Sequence, residues 1–347
     1  MLNGLAEREI RHNPRHMRVF SGIRATGDKT LGNYSGGFRQ YVATQDEAVR
    51  DGGQAFFCVV DLHSITTSLD PDLLRESTLS VGAWLFATGL DPERSTVFVQ
   101  SHVTAHAEAA WLLGAVTAYG ELRRMTQFKE KSEGQDFVSA GLFNYPVLMA
   151  GDILLYQADI VPIGDDQRQH LELTRNIAER FNQRFGDTFT VPRGVYPQEG
   201  ARMRNLQEPD KLMSTSRGAP AGVIRLVDPP DEIRRKFKTA VTDSGREIVH
   251  EPESKPGISN LIEIMAVATG RSVKDIVADY DGQGYGQFKQ DVGEAVVDLL
   301  APLQARYHEL RSDDAELRRM LTLGAEKARS SAQPTLDQMY ERMGFAR

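Results

Sequence analysis

The sequence predicts an α/β chain in two parts: a parallel-sheet, nucleotide-binding unit over residues 17–228 and an all-helical unit over residues 229–347. Three observations predict it. Short apolar runs ending at Val19-Phe20 and over 54–60, 96–100 and 160–163 are each followed by a helical period, the alternation expected of a parallel sheet with crossovers. Glycine-bearing turns follow the first and last of these runs, where ligands of open α/β sheets bind. Beyond Pro229-Pro230 almost every apolar residue falls at helical spacing. A chain of 347 residues also exceeds what one core ordinarily serves.

Composition narrows the class. With 40% hydrophobic and 26% charged residues the chain is an ordinary globular protein. Its net charge of −7 means that a nucleic acid must be met by a local basic patch. The single Cys58 excludes an internal disulfide framework and a cysteine metal cluster. Within Phe56-Phe57-Cys58-Val59-Val60 it reads as a core thiol. No apolar run is long enough to span a bilayer and no signal peptide is visible, so no membrane partner and a cytoplasmic location are expected.

In chain order, residues 1–16 carry Arg8, Arg11, His12, Arg15 and His16 with little periodicity and read as a flexible basic extension. After the first strand, residues 21–33 hold Gly22, Gly27 and Gly32. A helix with Tyr34, Phe38, Tyr41 and Val42 on one face then runs toward Arg50. Free N–H groups at such a helix start favour anions, although the spacing matches neither the dinucleotide fingerprint nor the Walker loop. The strand over 54–60 ends at Asp61 and His63, the histidine being either structural or a ligand contact. Asp70-Pro71 caps a helix through Leu85, and residues 105–118 form another, with Trp111 assigned to the core. Arg123, Arg124, Lys129 and Lys131 are either a solvated face or a phosphate site.

The stretch 144–170 is the richest. It begins as a helix entered by Tyr145-Pro146, in which Tyr145, Met149 and Asp152 share one face at i, i+4 and i+7. A carboxylate among apolar neighbours requires donors. The strand over 160–163 ends in Gly164-Asp165-Asp166-Gln167, suited to ribose hydroxyls or an ammonium group. A helix over 166–184 follows, with acidic residues in its first turn. Past residue 229 come a basic helix with Arg234, Arg235, Lys236 and Lys238, helices over 258–269 and 285–311, and charged surface helices over 313–331 and 334–343.

Thr30-Leu31-Gly32-Asn33 resembles the HIGH signature of class I aminoacyl-tRNA synthetases in its tryptophanyl variant. Phe20-Ser21-Gly22-Ile23, the run from Asp61 to Thr66, the run from Met125 to Lys131, Tyr145-Pro146 to Asp152, and Gly164-Asp165-Asp166-Gln167 to His170 resemble the same family in the same order. The resemblance, to bacterial-type tryptophanyl-tRNA synthetases, runs from Arg18 to near the C-terminus. It implies a Rossmann-like catalytic domain with a helical anticodon-binding domain, L-tryptophan and ATP with Mg²⁺ as substrates, a tRNA partner, and a homodimer with one tRNA spanning both subunits.

The resemblance also assigns residues. Asp152 would accept the indole N–H; Tyr145 and Gln167 would hold the ammonium; Phe20, Met149, Val161 and Ile163 would wall the ring, with His63 beside it. Gly164, Asp165 and Asp166 would take the adenosine ribose, and Thr30, Gly32 and Asn33 the phosphates or adenine side. Met203 and Met213 would be backbone adenine contacts, and Lys131 would reach the phosphates.

Two departures stand out. The run from Lys211 to Gly218 occupies the place of the family's mobile KMSKS loop, whose lysines flank Met-Ser. Leu212 and Thr215 stand where those lysines would be; Lys211 is one residue early, and Ser214 and Ser216 remain for the triphosphate. Arg24-Ala25-Thr26 replaces the usual Gln-Pro-Ser, and Arg24 is expected to supply replacement charge on the ATP side. Two functions follow. One is a working tryptophanyl synthetase. The other is an auxiliary copy that binds tryptophan and ATP, charges tRNA weakly and serves another tryptophan-using enzyme, such as a nitric oxide synthase. Tyrosyl specificity is disfavoured by the Tyr145/Met149/Asp152 face.

Overall fold

The computed structural model describes residues 17–66, 70–134, 136–164, 167–195, 203–215 and 218–346. The expectations for residues 1–16, Asp165, Asp166 and Ser216 lie outside the described residues.

Five parallel strands form one sheet in the order β3-β2-β1-β4-β5: β1 (Arg18–Ile23), β2 (Gln54–Val59), β3 (Thr96–Val99), β4 (Ile160–Pro162) and β5 (Arg193–Val195). β1 pairs with β2 from Arg18 opposite Gln54 to Ile23 opposite Val59. It runs three residues past the expected end at Phe20, because Ser21, Gly22 and Ile23 continue the ladder against Phe57, Cys58 and Val59. On its other side Val19 stands opposite Ile160 of β4. The chain therefore walks outward from β1 to β3 and returns to the opposite flank of β1. That reversal opens a crevice beyond the carboxyl ends of β1 and β4. Cys58 is fully buried in β2, and burial pushes its thiol well up, as expected of a core residue.

Local chemistry fixes the elements around that crevice. After β1, α1 (Leu31–Asn33) opens under a reciprocal cap: the Asn33 amide donates to Thr30 Oγ1 at 3.2 Å and the Thr30 amide donates to Asn33 Oδ1 at 2.9 Å. The helix widens to a π turn over Tyr34–Phe38, around Gly36-Gly37, before continuing as α2 (Arg39–Arg50). α3 (Asp61–Ser64) follows β2 directly, and α4 (Pro71–Ala87) starts under the Asp70 cap as expected.

Three expectations about the middle of the chain need correction. In α5 (Ala105–Gly114) the buried positions are Ala105, His106, Ala109, Leu112 and Leu113, so Trp111 is turned away from the core and is 83% exposed. α6 (Tyr119–Arg123) and α7 (Thr126–Ser132) follow. α8 (Ala140–Leu154) is not entered by its proline: Ser139 caps it, accepting from the Leu142 amide at 3.0 Å, and Pro146 lies inside. The proline ring removes only the bond that would reach the Leu142 carbonyl. α9 (Arg168–Phe185) starts two residues later than expected, with Gln167 at its N-cap and no acidic residue in its first turn.

The C-terminal third is helical as expected: α10 (Pro230–Lys238), α11 (Pro256–Thr269), α12 (Val273–Asp279), α13 (Tyr285–Ser312) and α14 (Asp314–Arg342). The two surface helices of the sequence reading are one continuous helix, α14, with Pro334 inside it. Nor is it a surface helix. Leu317, Leu321, Ala325, Ala328, Ala332, Leu336 and Met339 are buried at helical spacing. At Gly324 the backbone passes β3 so closely that a Cβ would stand 1.8 Å from the Val97 carbonyl oxygen. The last helix thus closes the core of the sheet.

The basic helix α10 is largely neutralised within the fold. Arg234 pairs with Glu294 at 2.8 Å, Arg235 with Glu232 at 2.6 Å, and the buried Lys236 with the buried Asp228 at 2.6 Å. Its reading as a phosphate contact is reduced accordingly. Among the described residues no helix is long and apolar enough to cross a membrane.

Candidate functional site

A cavity of about 2040 Å³ lies in the crevice beyond β1 and β4. It exceeds the usual single-ligand range of roughly 300–1,000 Å³, so it has room for two bound molecules.

The deep end is built on Asp152. Its carboxylate is 2% exposed and lies on α8 among Ala150, Gly151 and Ile153, all buried. Three partners from distant segments compensate its charge. Gln100 Nε2, just past β3, donates to Oδ1 at 2.6 Å. His106 Nδ1 on α5 lies 2.6 Å from Oδ1, and His63 Nε2 on α3 lies 2.8 Å from Oδ2. An ionised carboxylate only accepts, so both ring nitrogens donate. His106 Nε2 then accepts the Tyr156 hydroxyl, 2.9 Å away. Burial alone would raise the Asp152 pKa. The hydrogen bonds from His106 and His63 outweigh it and hold the carboxyl well below the usual carboxylate range.

Oδ2 keeps acceptor capacity, and Asp152 lines the cavity. Around it stand Phe20, stacked on Tyr156 at 5.3 Å, with Met149, Val161 and Ile163. The arrangement presents a fixed anionic acceptor inside an apolar slot, the complement of a flat apolar group bearing one N–H. One level out, the Tyr145 hydroxyl lies 2.7 Å from His170 Nε2 and 3.2 Å from Gln127 Oε1. Lys131 Nζ donates to Gln127 at 3.0 Å and stands 5.4 Å from the centroid of the Tyr145 ring. Gly164 and Gln167 line the same wall at the end of β4.

The shallow end is cationic and loop-built. Arg24 is exposed at the cavity wall, beside Thr26, Thr30 and Asn33. Lys29 is 8% exposed and donates to the carbonyls of Arg24 and Thr26, at 2.8 Å each. Gly27 takes φ +57°, the left-handed region that favours glycine. A Cβ there would stand 3.5 Å from Thr215 Oγ1, so the 24–29 loop lies against the 211–215 segment. Lys211, Leu212, Met213, Ser214 and Thr215 all line the cavity, but Lys211 is paired with Glu208.

Three of the expected residues do not reach the wall. Ala25 and Met203 are 2% and 3% exposed and pack in the core, and Gly32 lies beneath, near the Met213 backbone. The Met213 amide is spent on the Met203 carbonyl at 2.9 Å, closing that donor to a ligand. The sequence reading missed Gln100, His106, Tyr156, Gln127 and Lys29. No local pattern marks them; the first three meet Asp152 or one another only through tertiary packing.

Known proteins resemble this chain along most of its length. The sequence profile of "tRNA synthetases class I (W and Y)" matches residues 12–301. The chain is 50% identical to a tryptophan--tRNA ligase of Caldanaerobacter subterraneus over 328 residues, covering 94% of this chain and 98% of that one. It is 50% identical to the tryptophan--tRNA ligase 2 of Streptomyces avermitilis, covering 94% and 97%. Among solved structures, the tryptophanyl-tRNA synthetase of Mycoplasma pneumoniae superposes with a TM-score of 0.85 at 34% identity, covering 95% of this chain and 98% of that one. That of Campylobacter jejuni, complexed with ADP and tryptophan, superposes at 0.81 with 33% identity, covering 95% and 100%.

Proposed function

The chain belongs to the class I tRNA synthetases of the tryptophan and tyrosine family and is an enzyme of the tryptophan--tRNA ligase type; we propose that it activates L-tryptophan with Mg²⁺-ATP and transfers it to tRNA. The tryptophan carboxylate attacks the α-phosphorus of ATP and expels pyrophosphate with its Mg²⁺. A terminal ribose hydroxyl of tRNA then attacks the acyl carbon of the adenylate, releasing AMP. The attacking carboxylate is already ionised, so the protein needs no general base for the first step. It must align two anions and stabilise the charge that grows between them.

The observation that carries this reading is Asp152, an ionised carboxylate held by Gln100, His106 and His63 at the bottom of an apolar slot. Its Oδ2 takes the indole N–H; Phe20, Met149, Val161 and Ile163 clasp the ring. Tyr145 and Gln167 receive the ammonium, and Gly164, with Asp165 and Asp166, the ribose. A tyrosine side chain presents a hydroxyl rather than a ring N–H at a different depth. A site built around one buried polar contact rejects a ligand that leaves it unmade by several decades. Tryptophan-dependent ATP–pyrophosphate exchange, run against tyrosine, tests the reading: exchange with tyrosine alone sinks it.

At the other end, Thr30 and Asn33 meet the phosphates from the capped start of α1, and Lys131 approaches across the cavity. Arg24 supplies the charge that Leu212 and Thr215 lack. The catalytic unit is assigned to residues 17–228 and the tRNA-reading helices to 229–347, with α14 as a brace on the sheet. A homodimer is supported by Trp111, Tyr119 and Phe137, large apolar side chains left 83%, 68% and 78% exposed. The site of action is the cytoplasm, where tRNA and ATP meet.

One observation favours a second reading. Lys211 is tied to Glu208 and the loop offers no other lysine, which suits an auxiliary copy that binds tryptophan and ATP for another enzyme and charges tRNA weakly. Exchange without charging would support it.

A further inference from the structure

Lys29 lines the cavity wall and has no role in the function proposed above. It follows Asp28 in a polar loop, yet its side chain turns inward and is buried. Its ammonium donates to the Arg24 and Thr26 carbonyls, at 2.8 Å each, on the turn that carries Arg24 to the cavity. An ammonium has three donors, and the third has no partner among the described residues. Lys29 also lines the cavity, beside Arg24, Thr26 and Thr30. The loop is clamped from outside: the Leu226 amide donates to the Lys29 carbonyl at 2.8 Å and the Leu31 amide to the Ile224 carbonyl at 2.9 Å.

We infer that Lys29 is a direct ligand of the ATP triphosphate, giving its third N–H to a phosphate oxygen while its other two hold the Arg24 turn in place. The inference rests on the functional reading above and adds a phosphate ligand from outside the 211–216 loop. It explains how that loop does without its usual lysines: the charge comes from beneath the opposite wall.

The electrostatics agree. Burial, and then the Arg24 guanidinium, lower the Lys29 pKa to about 8, against a smaller raising effect of Asp28. Other charged groups face it less directly. Arg225, on the segment packed against the loop, reaches Asp28 at 3.3 Å. Arg39 on α2 lines the same cavity, as does Lys211, which is paired with Glu208. An arriving triphosphate favours the charged ammonium, so its pKa rises on binding. Near pH 8 part of the Lys29 population is then the neutral amine, and ATP binding draws a fraction of a proton from solvent per site.

The test is calorimetry of Mg²⁺-ATP binding to the full chain at pH 8 without tryptophan, in two buffers of different ionisation enthalpy. Wild type, Lys29→Arg and Lys29→Met are compared. Wild type should take up a fraction of a proton that Lys29→Arg does not, because a guanidinium is charged throughout. Lys29→Arg should retain most of the affinity. Lys29→Met should bind ATP roughly 10- to 100-fold more weakly, the loss of one charge-assisted bond, with tryptophan affinity unchanged. Equal proton uptake by wild type and Lys29→Arg, or ATP affinity in Lys29→Met within twofold of wild type, overturns the inference. Pyrophosphate exchange on the same wild-type preparation separates the two levels: exchange with either negative result removes Lys29 alone, and no exchange removes the functional reading with it.

Discussion

The two ends of the cavity are built on opposite principles. At the end proposed for tryptophan, Asp152 is held by side chains from three separate segments, each within 2.8 Å; Gln100 and His106 are fully buried and His63 is 8% exposed. At the phosphate end the charges sit on loops. Arg24 is exposed, Lys29 is bonded to its own turn, and Lys211 is paired away with Glu208. Recognition of one indole N–H profits from a rigid, pre-paid acceptor. A triphosphate that must enter, react and leave as pyrophosphate is met instead by charge on loops, part of it exposed at Arg24 and part tied down at Lys29. Arg24, Leu212 and Thr215, where the sequence is expected to depart from the family it resembles, line this end, and Tyr145, Met149 and Asp152 line the other.

Mutations at the two ends should therefore differ in which substrate they affect. Asp152→Asn is the largest expected change. It removes the anionic acceptor and leaves His63 and His106 facing an amide, so kcat/KM for tryptophan should fall by about 10²–10³. ATP binding, measured by calorimetry, should stay within twofold; a matching loss of ATP affinity would mean that the two ends are not separable. Arg24→Gln should depress pyrophosphate exchange by roughly 10- to 100-fold, as expected for one lost charge on a developing anion, and leave tryptophan affinity unchanged in equilibrium dialysis. An unchanged exchange rate would remove Arg24 from the phosphate end. Thr215→Lys is the smallest and goes the other way. A lysine restored on the 211–215 segment should raise exchange by up to about tenfold. A fall would show that Arg24 and Lys29 already fill that space, since Thr215 Oγ1 lies close to Gly27.

The sequence made the tight end more legible than its supports. Tyr145, Met149 and Asp152 share a helical face whatever the tertiary structure, so their convergence could be read from spacing. Gln100, His106 and Tyr156 could not. Gln100 and His106 lie 52 and 46 residues from Asp152 and meet it only because α5 packs beside α8 and the turn after β3 reaches the same place. Trp111 was misplaced because α5 is apolar nearly all round, and an alanine-rich helix gives no strong face from which to exclude a residue. α14 was read as two surface helices for the converse reason. Its buried stripe includes Gly324, Ala325, Ala328 and Ala332, small residues that look unremarkable in sequence yet permit close backbone approach to β3. Pro146 suggested a helix start, but Ser139, with its short polar side chain, was the true cap. Lys29 carries no periodic signal at all; its burial comes only from the inward turn of the loop.

The measurement that tests the whole account most directly is tryptophan-dependent ATP–pyrophosphate exchange beside tRNA charging, on one preparation of the full chain. The account predicts that both proceed, with cations from the 24–29 loop compensating for Leu212 and Thr215. Exchange without charging, or tryptophan binding with neither reaction, would contradict it and leave a tryptophan-binding chain whose altered 211–216 loop has cost it the second half of its chemistry or the whole.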